Sequence, residues 1–500
     1  SLLVGVFAGV AAVCAYALAT RLFPDHFGAP DTFSGLRLSR PVGYWNALGL
    51  VAVMGILLAL PIVARAQGWI ARALAAAPLP ILLTTLYFTF SRGAWLAFGV
   101  GLVVLFAADT RRLQLLATSA PLALVAAITV LQASGSHALT HTGASASAAA
   151  HAGHRLAAIV VIACLVSAYA GVAVRSLERA VNVPRRAAAA AGWAALAAVA
   201  LGLVAVFVHY GSPVALAHRA YHSIESNPPA TRGDLNNRLF SLSSNGRLAQ
   251  WRVAVHMFER KPLTGLGAGS YEQEWYLHRP GTWKVQDAHS LYVETLGESG
   301  IVGLLLLAAA LVAPLLCVRR ARREPLAAGA LAAYVAYLAH AAVDWDWELT
   351  GVTLVALLCG GALLATQRSD ARAGRLRLVP IVLGLVVALA SFGGLVGNLA
   401  LSASAKAVNA GNWNHALKEA QRAQSWAPWS ATPWQRLAEA ELGLGDRTAA
   451  LASYRTATSK SPDDWRLWRE IANVTTGPAR AEALAQVRRL DPLDPTGSGN

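Results

Sequence analysis

Long apolar blocks recur along the whole chain and constrain its fold more than any other feature. Each block has roughly 17 to 25 residues, the length that a helix needs to cross the hydrocarbon core of a bilayer. Eleven such blocks are more than one globular core could bury, and only 14% of the residues are charged. We place the spans at 1–20, 43–64, 73–90, 93–108, 113–133, 156–174, 188–209, 289–316, 326–343, 350–366 and 378–400. The sequence therefore predicts an all-α, polytopic membrane helix bundle of about 11 spans.

Arginine is distributed unevenly between alternate connections, which predicts the orientation of the bundle. One set of short connections holds sixteen arginines and the opposite set holds five. Loops rich in Lys and Arg stay in the cytoplasm, so the long loop from Tyr210 to Ala288 and the C-terminal tail should lie on the extracytoplasmic side of the cell membrane. The net charge of +15 then reflects topology, and we expect membrane lipids but no nucleic acid as partners. Because Ser1 already lies inside an apolar helix, we also expect the natural chain to begin upstream.

A repeat of 34 residues follows the last span. Ala416 and Ala450, Pro428 and Pro462, and Trp434 and Trp468 are each separated by this period, which is typical of tetratricopeptide repeats. We therefore predict two domains: a transmembrane domain at 1–400, which includes the loop 210–288, and an extracytoplasmic α-solenoid at 401–494. The solenoid would either bind a protein partner or a glycan on its concave surface or form a structural cap.

Metal and disulfide sites are weakly indicated. The four cysteines lie in or at the ends of spans, so no disulfide framework is expected. Four histidines between residues 134 and 154 are candidate ligands, but a flexible outer loop is the favoured interpretation of this Ala- and Ser-rich segment. The acidic run from Asp344 to Glu348 is better explained as an interfacial turn than as a cation site. We expect no metal and no cofactor.

The most informative residues precede the eighth span. Asp287 is positioned to cap the helix that re-enters the membrane, which would place His289 in its first turn at the membrane surface. Gly300 and Gly303 follow at helical spacing, so we expect all three to share one stripe of a continuous helix. A rigidly held imidazole at this position would serve as a general base, or else as a headgroup-binding histidine.

Two arginines are the other catalytic candidates. Arg92 joins two spans with almost no loop, and a permanent cation kept at that depth should face a cavity rather than lipid, although snorkelling to headgroups is the alternative. Arg247 begins an amphipathic stretch that ends at Arg260 and carries Trp251 on its apolar side. This stretch could lie along the membrane surface and direct Arg247 towards a substrate at the membrane interface.

These residues resemble the bacterial O-antigen ligases and the related polymerases and oligosaccharyltransferases. The family hallmark is His, then Asn, Ser or Gln, nine residues, Gly, two residues, and Gly, Thr or Tyr. His289-Ser290, Gly300 and Gly303 fit it without a gap. The Ser-Arg-Gly turn at 91–93, the stretch 247–251 and the run Pro-Leu-Thr-Gly-Leu-Gly at 262–267 are also similar, and the resemblance covers roughly residues 37–366.

The resemblance implies a metal-independent, inverting glycosyl transfer. The donor would be a glycan on undecaprenyl pyrophosphate, and the acceptor a hydroxyl of a lipid, a glycan or a protein. Arg92 and Arg247 would neutralise the departing pyrophosphate while His289 activates the acceptor. Arg40, Asn46 and Trp251 are weaker candidates for substrate binding.

Two readings of another class stay open. A transporter or flippase of the lipid-linked glycan would also place arginines inside a bundle, although the spans show no internal symmetry and the suspect residues lie at one face. A non-catalytic cell-envelope scaffold would leave His289 without a task. Ligase and polymerase differ only in their acceptor, so the sequence does not separate them.

Overall fold

A computed structural model shows a helical protein. It describes residues 2–28, 35–180, 233–239, 246–322, 324–366 and 378–494, together with isolated positions between 186 and 205. Most of the predicted span 188–209 and much of the predicted loop 210–288 lie outside the described residues.

The predicted spans are present as apolar helices. Among the described residues, seven helices are long and apolar enough to cross a membrane. Three shorter apolar helices accompany them, and together they match ten of the eleven predicted spans. The helices of the membrane part are α1 (Leu2–Leu22), α2 (Pro24–Phe27), α3 (Trp45–Arg65), α4 (Trp69–Ala76), α5 (Leu79–Phe88), α6 (Arg92–Ala108), α7 (Arg112–Ser134), α8 (His137–Thr140), α9 (Ala146–Ala180), α10 (Asn236–Leu239), α11 (Arg247–Arg260), α12 (Tyr271–His278), α13 (Leu291–Leu316), α14 (Val318–Ala321), α15 (Ala327–Ala341), α16 (Thr350–Leu364) and α17 (Leu378–Asn409). The chain is therefore a multi-pass membrane protein with an all-α bundle, as predicted.

Five further helices follow the last span. They are α18 (Trp413–Trp426), α19 (Ala431–Gly443), α20 (Arg447–Lys460), α21 (Trp465–Val474) and α22 (Gly477–Leu490). Consecutive helices pack against each other, and the small residues Ala416, Ala438 and Ala450 are fully buried where they meet. The assignment of these helices to the tetratricopeptide class stays a prediction.

The chain forms two compact units. The first contains residues 1–268 and 287–368, and the second contains residues 269–286 and 369–500. This division differs from the predicted domains 1–400 and 401–494, because the last span and a segment of the long loop belong to the second unit. The assignment of separate functions to residues 1–400 and 401–494 stays a prediction.

Helix α3 is the centre of the first unit. It is buried along its whole length, and α1, α5, α6 and α15 pack around it. Two of its glycines explain the close packing, because a Cβ atom at Gly49 would lie 2.8 Å from the Cβ of Ala94 and one at Gly55 would lie 2.7 Å from Val10. Small residues of this kind let membrane helices approach each other and gain van der Waals contact. This rigid core holds the helix ends that carry the site described below.

Candidate active site

A buried carboxylate organises one end of the first unit. Asp344 lies between α15 and a short 3-10 helix at Asp346–Glu348, and its side chain is 1% exposed. Its Oδ1 accepts hydrogen bonds from the Tyr44 hydroxyl at 2.8 Å and from its neighbour's backbone N–H at 2.9 Å. Its Oδ2 accepts from Asn46 Nδ2 at 2.6 Å and from the Arg247 guanidinium at 2.9 Å. Four donors thus surround the carboxylate and join residues that are far apart in the sequence.

The surroundings of Asp344 favour its charged form. Burial alone would raise the pKa of this carboxyl, but the Arg247 guanidinium and two nearby histidines, His340 and His289, lower the pKa below its ordinary value. The ionised carboxylate in turn fixes the position of Arg247, whose side chain is 20% exposed. Asp344 therefore acts as an anchor for Arg247.

Four guanidinium groups converge on this end of the bundle. Arg238 interacts electrostatically with Arg37, Arg92 and Arg247, and Arg92 also interacts with Arg247. Burial, followed by the like charge of Arg238, lowers the pKa of Arg37 to about 9. The Arg37 guanidinium also lies 3.3 Å from the centre of the Trp45 ring, a cation–π contact. Crowded guanidinium groups are suited to binding phosphate oxygens, because each can donate two parallel hydrogen bonds.

His289 has the tautomer that a general base requires. Its Nδ1 lies 3.1 Å from the Asp287 carbonyl oxygen, and because a carbonyl oxygen only accepts, Nδ1 must carry the proton. The Nε2 atom then keeps its lone pair. Burial, with the positive charge of Arg247, lowers the pKa of His289 and outweighs the opposite effect of Asp344. The imidazole is therefore neutral near pH 7.

The expected position of His289 in the first helical turn was wrong. Helix α13 begins at Leu291, and its N-cap is Ser290, whose hydroxyl accepts a backbone N–H at 3.4 Å, instead of Asp287. His289 lies just before the helix with a φ of +53°, a conformation that non-glycine residues rarely adopt. Such strain is common where function dictates the direction of a side chain.

The expected stripe of His289, Gly300 and Gly303 was also wrong, because α13 is broken at Gly300. The backbone there has φ 62° and ψ −166°, which only glycine adopts readily. The run 262–267 docks at the break and satisfies the backbone groups that the break releases. The hydrogen bonds run from Ile301 N to Pro262 O (2.9 Å), Val302 N to Leu263 O (3.3 Å), Leu266 N to Gly297 O (3.2 Å) and Gly267 N to Glu298 O (2.9 Å). The run 262–267 and the break at Gly300 thus form one structural joint. The first part of α13 connects this joint to His289.

The Ser-Arg-Gly turn positions Arg92. Ser91 is the N-cap of α6, and its hydroxyl accepts an N–H from the first turn at 3.2 Å. A Cβ atom at Gly93 would lie 3.0 Å from His340 Nε2, so glycine lets that ring approach. His340 and Asp346 are fully buried and form an ion pair with 2.9 Å between Nδ1 and Oδ2. The turn therefore packs against a buried charged pair while its arginine joins the cluster.

The weaker candidates have different surroundings. Asn46 donates hydrogen bonds to the Asp344 carboxylate and, at 2.7 Å, to the Tyr44 hydroxyl. Arg40 is exposed and donates to the Phe27 carbonyl at 2.9 Å. Trp251 lies one helical turn after Arg247 on α11 and is half-buried, with an indole N–H that makes no hydrogen bond. The predicted helix is confirmed as α11, although the residues that it buries are Ala249, Gln250, Val253, Ala254 and Met257. Its position along the membrane surface stays a prediction.

Two groups of possible metal ligands occur among the described residues. Each has three members with ligand atoms within 4.8 Å of one another: Asp287, Glu294 and Glu348, and Asp25, His26 and His154. Of the acidic run at 344–348, only its last residue takes part. The predicted flexible loop at 134–154 is partly helical, because α9 begins at Ala146. Whether the protein needs a metal stays a prediction.

Sequence reasoning missed three residues of the site, Asp344, Arg238 and Arg37. Asp344 was considered only as part of an interfacial turn or a cation site, because its distance of 97 residues from Arg247 along the chain gives no hint of their ion pair. Arg238 stands in a polar loop with no periodicity, and no signal in a single sequence separates it from a solvated arginine. Arg37 lies inside the segment 37–46 that resembles the family, so that signal could have found it.

Comparison with known proteins agrees with this geometry. No curated protein and no solved structure gives a match. Residues 142–308 match the family model described as O-Antigen ligase. The matched region contains Arg238, Arg247 and His289, together with the joint at Gly300. The region 142–308 is therefore similar to the O-antigen ligase family.

Proposed function

We propose that this membrane glycosyltransferase of the O-antigen ligase type transfers or polymerises a glycan from undecaprenyl pyrophosphate onto an acceptor hydroxyl. One observation carries the proposal: the buried carboxylate Asp344 pairs with Arg247 and interacts electrostatically with the neutral His289, and Arg247 belongs to a set of four guanidinium groups that are linked by electrostatic interactions. Cations for a diphosphate and a base for a hydroxyl are the two requirements of such a transfer. The acceptor is a lipid, a glycan or a protein, with no metal or cofactor required.

The arginine cluster would act on the leaving group. As the bond between the sugar and the pyrophosphate breaks, negative charge grows on the departing oxygen, and cations already in place stabilise the transition state more than the ground state. Arg247 is held by Asp344, and Arg92 occupies the first position of α6 directly after its N-cap Ser91, so neither has to reorganise during the reaction. Guanidinium groups would thus replace the divalent cation that many transferases use.

His289 would act on the acceptor. Its Nε2 accepts the hydroxyl proton while the acceptor oxygen attacks the anomeric carbon from the face opposite the pyrophosphate. One bond forms as the other breaks, so the configuration of that carbon inverts. The hydrogen bond from Nδ1 to the Asp287 carbonyl orients the ring and stabilises the imidazolium that forms.

An apolar groove supports a lipid-linked donor. A cavity of about 420 Å³ lies between α1, α3 and α16, and its lining includes Gly9, Val42, Leu349 and Leu358. Val42 is two residues from Tyr44, and Leu349 directly follows the 3-10 helix beside Asp344. The groove therefore begins next to the polar site and continues along apolar helices, as an isoprenoid chain attached to a bound diphosphate would require.

The site and the repeats would face the extracytoplasmic side of the cytoplasmic membrane. The distribution of arginines supports this orientation. A single cysteine at position 435 in a cysteine-free background tests it with a membrane-impermeant maleimide on intact cells. Labelling of intact cells supports the orientation, and labelling only after membrane disruption contradicts it.

The transfer itself is tested in proteoliposomes. The full chain is reconstituted with a synthetic undecaprenyl-pyrophosphate oligosaccharide and a panel of lipid, glycan and peptide acceptors, and both the glycosylated product and the released undecaprenyl pyrophosphate are measured. Arg92→Met, Arg238→Met and Arg247→Met should each lose activity. Arg260→Met at the exposed far end of α11 is the matched control and should keep it.

The assay also separates the rival functions. Product formation that depends on the three arginines but not on Arg260 supports the proposal. Movement of the donor between leaflets without any product would identify a transporter of the lipid-linked glycan. Neither movement nor product with any acceptor would leave the scaffold as the better account.

A further inference from the structure

A segment of the long loop folds with the repeats. Residues 269–286, which we call the strap, belong to the second compact unit, although the chain on both sides belongs to the first. The strap contains α12. It lies between the joint at Gly267 and residues 287–290, which include His289 and which we call the histidine loop. Its place in the sequence therefore links the repeats covalently to both parts of the site.

The strap is held by the end of helix α22 through a buried ion pair. Arg279 pairs with Asp491, and the two side chains are 1% and 0% exposed. Arg279 also donates to the Thr282 carbonyl at 2.9 Å, which closes the turn after α12. A buried charge of this kind needs its partner, because either group left alone would be desolvated without compensation.

Surface and aromatic contacts add to this pair. Arg466 donates to both carboxylate oxygens of Glu272 at 3.1 and 3.2 Å. Tyr276 packs edge-to-face against Trp465 with ring centres 5.5 Å apart, and the Lys284 ammonium lies 4.0 Å from the centre of the same Trp465 ring. The strap is thus fixed from its first turn to within two residues of its end.

The anchored strap limits the freedom of the histidine loop. Only Val285 and Gln286 separate Lys284 from Asp287, whose carbonyl orients His289. Five residues span at most about 18 Å when fully extended. At its other end, the strap follows Gly267, which donates to the Glu298 carbonyl at 2.9 Å in the joint of α13. Loosening the strap would free the chain immediately before the imidazole.

We propose that the repeats position the histidine loop, with Arg279 and Asp491 as positioning residues that act through the strap. This inference rests on the proposed function. A base must be held within a small distance of the hydroxyl that it deprotonates, and small displacements lower the rate without preventing substrate binding. The repeat unit is then part of the catalytic apparatus in addition to any partner that it binds.

The test compares Asp491→Asn with Asp463→Asn in the full chain in proteoliposomes. Asp463 is exposed in the same unit and serves as the matched control. We expect Asp491→Asn to lower kcat by about tenfold or more, with KM for the lipid-linked donor changed by less than about twofold. Amide hydrogen exchange of residues 284–290 should be faster in this variant, and Asp491→Glu should restore both quantities in part.

A second variant covers the case in which Asp491→Asn unfolds the repeats. Glu272→Gln neutralises the partly exposed pair with Arg466 and weakens the hydrogen bond from the Tyr276 hydroxyl, so it should change kcat and exchange in the same direction, by a smaller factor. Unchanged kcat and exchange in both variants overturn the proposal, as does normal kcat in a chain whose repeats have unfolded. If the wild type transfers nothing, the proposed function fails, and exchange of residues 284–290 alone then decides whether the repeats hold the strap.

Discussion

Replacement of Asp344 by asparagine tests the centre of the site. Each carboxylate oxygen accepts two hydrogen bonds, one pair from Tyr44 and the backbone of Trp345 and the other from Asn46 and Arg247. An asparagine has one oxygen and one NH₂ group. Whichever way the amide turns, its NH₂ group meets two donors, and the charge that holds Arg247 is lost.

The magnitude follows from burial. Removing one partner of a buried ion pair costs about 3–5 kcal/mol, and since Arg247 is 20% exposed while Asp344 is 1% exposed, we expect the lower part of this range. If most of this loss appears as misplacement of Arg247 in the transition state, kcat should fall about 10²- to 10³-fold. Tyr44→Phe removes one neutral donor worth about 0.5–1.5 kcal/mol and should lower kcat by only about 2- to 12-fold.

The assay measures kcat and KM for glycan transfer in proteoliposomes, with thermal unfolding of the detergent-solubilised chain as a control for folding. We expect kcat to be highest in the wild type, lower in Tyr44→Phe and lowest in Asp344→Asn. A folded Asp344→Asn variant with kcat within about threefold of the wild type would refute the role given to this carboxylate.

Three further predictions concern the base, the joint and the groove. Burial lowers the pKa of His289 and the neutral ring is the active form, so kcat/KM should stay constant as the pH is lowered to about 6.5 and fall only at lower pH. A fall of kcat/KM centred above pH 7 would contradict this. Gly300→Ala places a Cβ 2.4 Å from the Leu263 carbonyl oxygen at a φ of +62° and should lower the free energy of unfolding by about 2–4 kcal/mol. The control Gly361→Ala, which has open space, should not, and equal melting temperatures of the two variants would count against the joint. Gly9→Leu should fill the groove and raise KM for the lipid-linked donor about three- to tenfold at constant kcat, with Gly361→Leu as the control, and an unchanged KM would exclude the groove as the isoprenoid site.

The sequence predicts the spans well for a physical reason. A bilayer demands about twenty apolar residues in a row, and this requirement is local in sequence. The start of α13 was missed because Asp287 and Ser290 are both good N-caps, and only the packing of the loop selects Ser290. The break at Gly300 was missed because a glycine in a helical pattern is ambiguous until a partner for the freed backbone is known.

The composition of the site was predicted only in part. His289, Arg92 and Arg247 stand out because they occur at helix ends in a chain with few charges. Arg238 and the role of Asp344 depend on contacts between segments about a hundred residues apart, as in the ion pair of Arg247 with Asp344. Such contacts follow from tertiary packing and leave no periodic pattern in the sequence.

The most direct test of the central claim is a single-turnover measurement of glycan transfer from the undecaprenyl-pyrophosphate donor by the wild type and by His289→Ala, with donor binding measured in parallel. The account predicts an inverted product from the wild type, a loss of at least about 10²-fold in the variant, and similar donor affinity in both. Transfer by His289→Ala at the rate of the wild type would contradict it.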